Sequence, residues 1–188
     1  MNSLARWISI IAHPFVMIAV LVAVAGWRFA PGSQALQALL LVIVVTIVPL
    51  AILMVCQVRR GRWSNVDASH TSERPILFLV ALTALAALLG WLLLSNPHSF
   101  LIRGVIVISL LLVVAALLTR WVKLSLHLAF AGLTVTSLSV IGSAIGLALI
   151  PAVPLLIWSR LALSRHRPLE LVVGLLLGVL AGLALIYL

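Results

Sequence analysis

The run Leu124–Ala162, LSLHLAFAGLTVTSLSVIGSAIGLALIPAVPLLIWSRLA, decides how often this chain crosses a membrane. It is apolar almost throughout, too long for one passage through ~30 Å of hydrocarbon and too short for two generous ones. Gly142, Ser143 and Gly146 supply turn residues for a break. The run therefore reads as two compact helices of about 124–142 and 145–162. Working outward, apolar runs of crossing length appear at about 8–27, 35–58, 75–95 and 101–119. A last helix of about 168–188 opens on Pro168, a residue suited to a first helical turn. The count is seven.

Composition points the same way. Hydrophobic residues make up 65% of the 188-residue chain and charged residues 8%, far from the balance of a soluble domain. The expectation is an all-α, polytopic transmembrane bundle of about seven helices, with a six-helix core as its smaller version, forming one integral membrane domain over residues 1–188. The single cysteine, Cys56, leaves no internal disulfide. Arg6 and an Ala-Val-Ala-Gly run at 23–26 give the first helix some look of a cleaved signal. His13-Pro14 inside it, and its length, favour a retained helix. The formal charge of +9 is spread between apolar segments and forms no soluble patch, so anionic headgroups or lipid phosphates fit it better than nucleic acid.

Seven crossings put the N-terminus, the 59–74 loop and the 120–123 and 160–167 turns on one side. Ten of the 12 Lys and Arg residues fall there, with only Arg28 and Arg103 opposite. The positive-inside rule makes the basic side cytoplasmic. Setting aside Arg74, Lys123 and Arg160 as candidate phosphate ligands still leaves seven against two. The three acids of the chain, Asp67, Glu73 and Glu170, share that side with His70, His127 and His166. Any chemistry belongs to one face.

Three clusters occupy it. In Ser159–Glu170, SRLALSRHRPLE, His166 and Glu170 stand four residues apart, so the carboxylate can hold one imidazole nitrogen and leave the other free to react. Arg160 has no acid near it in the sequence and is placed to hold an anion. In Lys123–His127, KLSLH, Ser125 reads as an N-cap, with the first amides of the following helix offering an anion seat between Lys123 and His127. In Asp67–Pro75, DASHTSERP, Pro75 starts a helix and leaves Arg74 at the rim. Asp67 and Glu73 can pair with Arg59, Arg60 and Arg62 or serve a substrate. A basic loop at the headgroups, a snorkelling lysine and an interfacial histidine are the plainer readings of these stretches.

Together the clusters resemble the type 2 phosphatidic acid phosphatase superfamily. Its third motif, S-R, five residues, H, three residues, D, is matched by Ser159-Arg160, His166 and Glu170, with Glu for Asp. Its second, P-S-G-H, keeps the serine and histidine in Leu124-Ser125-Leu126-His127, and divergent bacterial members with K-x-S-x-H are similar, which makes Lys123 the motif lysine. Its first, K, six residues, R-P, keeps Arg74-Pro75 and has Asp67 in place of lysine. Two crossings separate the first and second motifs here, and seven helices stand where six are usual.

The resemblance implies a multi-pass protein of the bacterial inner (cytoplasmic) membrane that hydrolyses a lipid phosphate or diphosphate. His166 would attack phosphorus and form a phosphohistidine, with Glu170 fixing its tautomer. His127 would protonate the leaving oxygen and then take a proton from water. Arg160, Arg74, Lys123 and Ser125 would bind the phosphoryl oxygens, with Ser159 and Asp67 as further site residues. No metal or other cofactor is called for. The rival class is a non-catalytic lipid-phosphate binder, or a small transporter of a phospholipid or polyprenyl phosphate. That class would show polar groups at mid-membrane, for which Thr134, Thr136 and Ser137 are the candidates, residues that more often bond to their own or neighbouring helices. His13-Pro14 reads mainly as packing, with a kink towards the site as the alternative. The tryptophans read as an aromatic belt, and Gly174, Gly178 and Gly182 mark a close-packing face inside the bundle or in a homodimer.

Overall fold

The computed structural model describes residues 2–30, 32–68 and 70–187. Among the described residues all regular structure is helical: α1 (Asn2–Ile11), α2 (Pro14–Phe29), α3 (Gly32–Val42), α4 (Val48–Arg59), α5 (Arg74–Ser95), α6 (Leu101–Leu118), α7 (Leu126–Val140), α8 (Ala144–Leu149), α9 (Ala152–Ala162) and α10 (Pro168–Tyr187). Several are segments of one continuous passage. Six stretches are long and apolar enough to cross a membrane: Ser3–Phe29, Gly32–Arg59, Thr71–Ser95, Leu101–Leu118, Ala144–Ala162 and Pro168–Tyr187. The chain is a multi-pass helical membrane protein.

Proline explains most of the interruptions. His13 is extended (ψ 144°), as a residue before proline prefers, so the first passage breaks into α1 and α2. Its ring then caps α2, Nδ1 accepting from the Phe15 amide at 3.2 Å. Pro49 cannot donate to the carbonyl four residues back, and the turn just before it, Ile43–Ile47, widens to a π-helix that joins α3 to α4. Pro151 separates α8 from α9. Gly142, at φ +73°, makes the turn expected between the two halves of the long apolar run.

The fifth helix departs from its expected length. With 15 residues, α7 rises roughly 22 Å, short of the hydrocarbon thickness. It is also the most enclosed helix, with Leu128, Ala129, Leu133 and Leu138 wholly buried. Protein rather than lipid surrounds it. The glycine face of α10 supplies the closest wall: a Cβ at Gly174 would meet the Ser125 carbonyl oxygen at 2.5 Å, and one at Gly182 would meet Leu133 O at 2.9 Å. Those glycines therefore serve packing within the chain. Thr134 donates to the Met17 carbonyl on α2 at 3.1 Å and Ser137 to Gly182 on α10 at 3.4 Å, the neighbour-helix satisfaction expected of them. Trp27 and Trp121 are exposed as a belt requires, but Trp63 is buried against Met54, Ala68 and Leu77.

Candidate functional site

The chain after α9 turns back through a Schellman arrangement. Arg165 N donates to the Arg160 carbonyl at 3.1 Å and Ser164 N to Leu161 at 2.9 Å, with Ser164 left-handed at φ +51°. A non-glycine residue in that region is a strained choice, and it delivers His166 to the start of α10. There His166 Nδ1 lies 2.7 Å from Glu170 Oε2, and the Arg167 amide donates to the same oxygen at 3.3 Å. Lys123 Nζ stands 4.0 Å from that carboxylate and donates to the Arg165 carbonyl at 3.1 Å. Lys123, Arg165, His166, Arg167 and Glu170 line a polar hollow of about 400 Å³.

Burial and then the charge of Arg160 hold the His166 ring down to about 4, the Glu170 bond opposing them and Arg74 and Lys123 adding to them. The ring is neutral at pH 7. With Nδ1 engaged by the carboxylate, Nε2 keeps a lone pair.

Arg160 differs from the expectation of an arginine without an acid. Its Nη1 donates to Asp67 Oδ2 and to Ser9 Oγ, each at 2.8 Å. Asp67 comes from a loop 93 residues earlier, which Ala68 pins by its own complete burial. Sequence proximity could not reveal that pair. Asp67 therefore does not serve Arg59, Arg60 or Arg62. Neither does Glu73, whose carboxylate accepts from the Ser64 and His70 amides at 2.8 and 3.0 Å. Ser159 Oγ donates to the Ala5 carbonyl at 2.6 Å and ties α9 to α1.

Arg74 also differs. Expected at the rim, it is 3% exposed, and its Nη1 donates to the Leu124 carbonyl at 2.9 Å. Among the described residues no carboxylate lies within 4 Å of it. Ser125 holds the N-cap position of α7 but makes no side-chain cap bond; its amide donates to the Glu170 carbonyl at 3.0 Å and its Oγ is buried without a partner. Arg74 Nε, Arg160 Nε and His127 Nε2 are likewise buried and unpartnered.

His127 does not share the hollow of His166. It lies at the head of an apolar cavity of about 730 Å³ with His13 and Asp67, and the two spaces have no lining residue in common. Arg160 and Arg74 line neither. Arg160 is close enough to interact electrostatically with both histidines and so lies between the two spaces, while Arg74 interacts with His166. His13, read from sequence mainly as packing, sits edge-to-face on His127 with ring centroids 5.2 Å apart. The signal for it was the histidine-proline pair inside an apolar helix.

Fold and site thus define a polytopic helical membrane protein with buried basic groups and three histidines, His13, His127 and His166, near one end of its bundle. No family model, curated protein or solved structure matches the chain.

Proposed function

We propose that this protein is a membrane lipid phosphatase, related to the type 2 phosphatidic acid phosphatase superfamily, which cleaves a lipid phosphate or diphosphate through a phosphohistidine. The observation that carries the reading is Arg74: a guanidinium 3% exposed, with Nε unpartnered and no carboxylate within 4 Å, beside an oriented neutral histidine. A buried cation whose nearest opposing charge, Glu170, lies beyond contact distance is costly, and a bound anion supplies a closer one. In this reading the phosphoryl group occupies the wall between hollow and cavity, on Arg74, Arg160, Ser125 and Lys123. The lipid chain runs into the apolar cavity, along Ile18, Leu85 and Ile108.

His166 Nε2 attacks phosphorus while Glu170 holds Nδ1 and stabilises the positive charge that develops on the ring. The bond to the leaving oxygen breaks as His127 protonates that oxygen, and His127 afterwards takes a proton from the attacking water. Arg74, Arg160 and Lys123 neutralise charge spread over the non-bridging oxygens.

A second reading rests on one feature. The apolar cavity reaches His98 and Arg103 at the opposite end of the bundle, as a path for a carried lipid phosphate would. Phosphate release from a panel of lipid phosphates in detergent, with EDTA present, separates the two. Release abolished by His166→Ala supports the enzyme; transport into liposomes without release refutes it in favour of the carrier. The basic side is assigned to the cytoplasm, so a cysteine introduced by Ser64→Cys in a Cys56→Ser background resists impermeant reagents in intact cells. Free labelling there reverses the orientation.

A further inference from the structure

We propose that His13, Asp67 and His127 together seat the water molecule that hydrolyses the phosphohistidine. The inference rests on the phosphatase reading and adds two residues to its chemistry. Each of the three side chains offers one polar atom, and those atoms lie within 4.8 Å of one another at the head of the apolar cavity.

Hydrogen bonding decides what each can offer. His13 Nδ1 accepts from the Phe15 amide, so in the neutral ring the proton sits on Nε2, which is a donor. His127 Nε2 is buried with no partner. In the proposed seat the neutral ring carries its proton on Nδ1, so that Nε2 keeps its lone pair. Asp67 is an acceptor, held through Oδ2 by Arg160 at 2.8 Å. Two acceptors and one donor around a buried point match a water molecule, which gives two protons and receives one, leaving one lone pair.

The same spacing would suit a metal triad, but the chemistry does not. A cation on Nε2 of His13 would require the ring proton on Nδ1, facing the Phe15 N–H it now accepts from. Asp67 is in addition already opposed by a guanidinium.

The step balances. Water oxygen forms the new P–O bond, the P–Nε2 bond to His166 breaks with its electron pair returning to the ring, and one water proton moves to His127 Nε2. Inorganic phosphate leaves. His127, now protonated, is charged for the next leaving oxygen, so the two half-reactions share one proton.

The test uses His13→Asn and His13→Ser in the full chain. Both residues are good N-caps and keep α2 started, while neither carries a ring donor to the seat. With short-chain phosphatidate labelled in its phosphate, steady-state release should fall on the order of 100-fold. Acid-labile label should meanwhile accumulate on the protein towards one per chain, and be absent when His166→Ala is combined. Asp67→Asn should trap label in the same way. Release that falls without trapped label overturns the proposal, since a general structural defect slows both half-reactions, and so does unchanged release. Failure of the underlying reading is distinguishable: the parent then releases no phosphate, or His166→Ala releases it undiminished.

Discussion

Replacing Gly178 by alanine tests the packing on which the site depends. A Cβ there would fall on the Ala129 carbonyl oxygen, with the carbonyl carbon 2.8 Å away and Cα 2.9 Å away. Because the obstacle is backbone, no change of rotamer relieves it. α10 and α7 must part by roughly 1 Å to regain ordinary contact, at about 1–3 kcal/mol for overpacking. The comparison is Gly90→Ala in α5, where an added Cβ meets nothing within 4 Å and helix propensity contributes about 0.5–1 kcal/mol in the opposite direction. Propensity favours alanine at both sites, so the two variants should differ by the overpacking itself, about 1–3 kcal/mol. Thermal melts in detergent should show Gly178→Ala several degrees below the parent and Gly90→Ala at or above it. Activity should follow, since Ser125 N on the α7 side bonds the Glu170 carbonyl at the start of α10, and a displacement of ~1 Å near reacting groups costs about 100-fold. Equal melting temperatures for the two glycine variants would refute the backbone-to-backbone contact.

Three further outcomes follow from the site. The acid limb set by His166 should lie near pH 4 rather than 6.5, because its ring is held down to about 4 and loses its lone pair only on protonation; a kcat/KM–pH profile reads this directly. The same depression means that the unfolded chain binds the proton more readily, so this group's contribution to stability is full above about pH 6.5 and declines as pH falls towards 4, which melts across that window will follow. Asp67→Ala, which strands the buried Arg160 charge, should destabilise by about 3–5 kcal/mol, and Asp67→Ala with Arg160→Met should recover most of it in chemical-denaturation midpoints.

Much of the fold was legible because lipid imposes one requirement, an unbroken apolar length with all backbone groups bonded internally, and composition reports it directly. Three of the expected crossings correspond to long passages with little change beyond their ends, two more, Ser3–Phe29 and Ala144–Ala162, are broken at a proline, and a sixth, Gly32–Arg59, contains the π-turn. α7 was misjudged in length because its limits depend on partners. Leu124 is drawn out of the helix, its carbonyl accepting from Arg74, and Ser125 through its amide on Glu170. Apolarity alone could not distinguish a helix bounded by lipid from one bounded by protein.

The site divides along the same line. His166 and Glu170 meet because four residues on one helix turn bring them together, a local rule that sequence carries. Arg160 with Asp67, and Arg74 with Leu124, bridge 93 and 50 residues, and no local rule reaches that far. The consequence is electrostatic. Asp67 is committed to Arg160 and Glu170 to His166 and Lys123, while Glu73 is spent on two backbone amides. The three carboxylates are therefore all engaged elsewhere, and Arg74 remains the positive group that nothing in the described chain neutralises at contact distance. Burial makes that imbalance expensive, and it is tolerable in a folded protein if a negative group arrives with the ligand. The excess of buried positive charge, more than any single motif, is what the proposed lipid phosphate would offset.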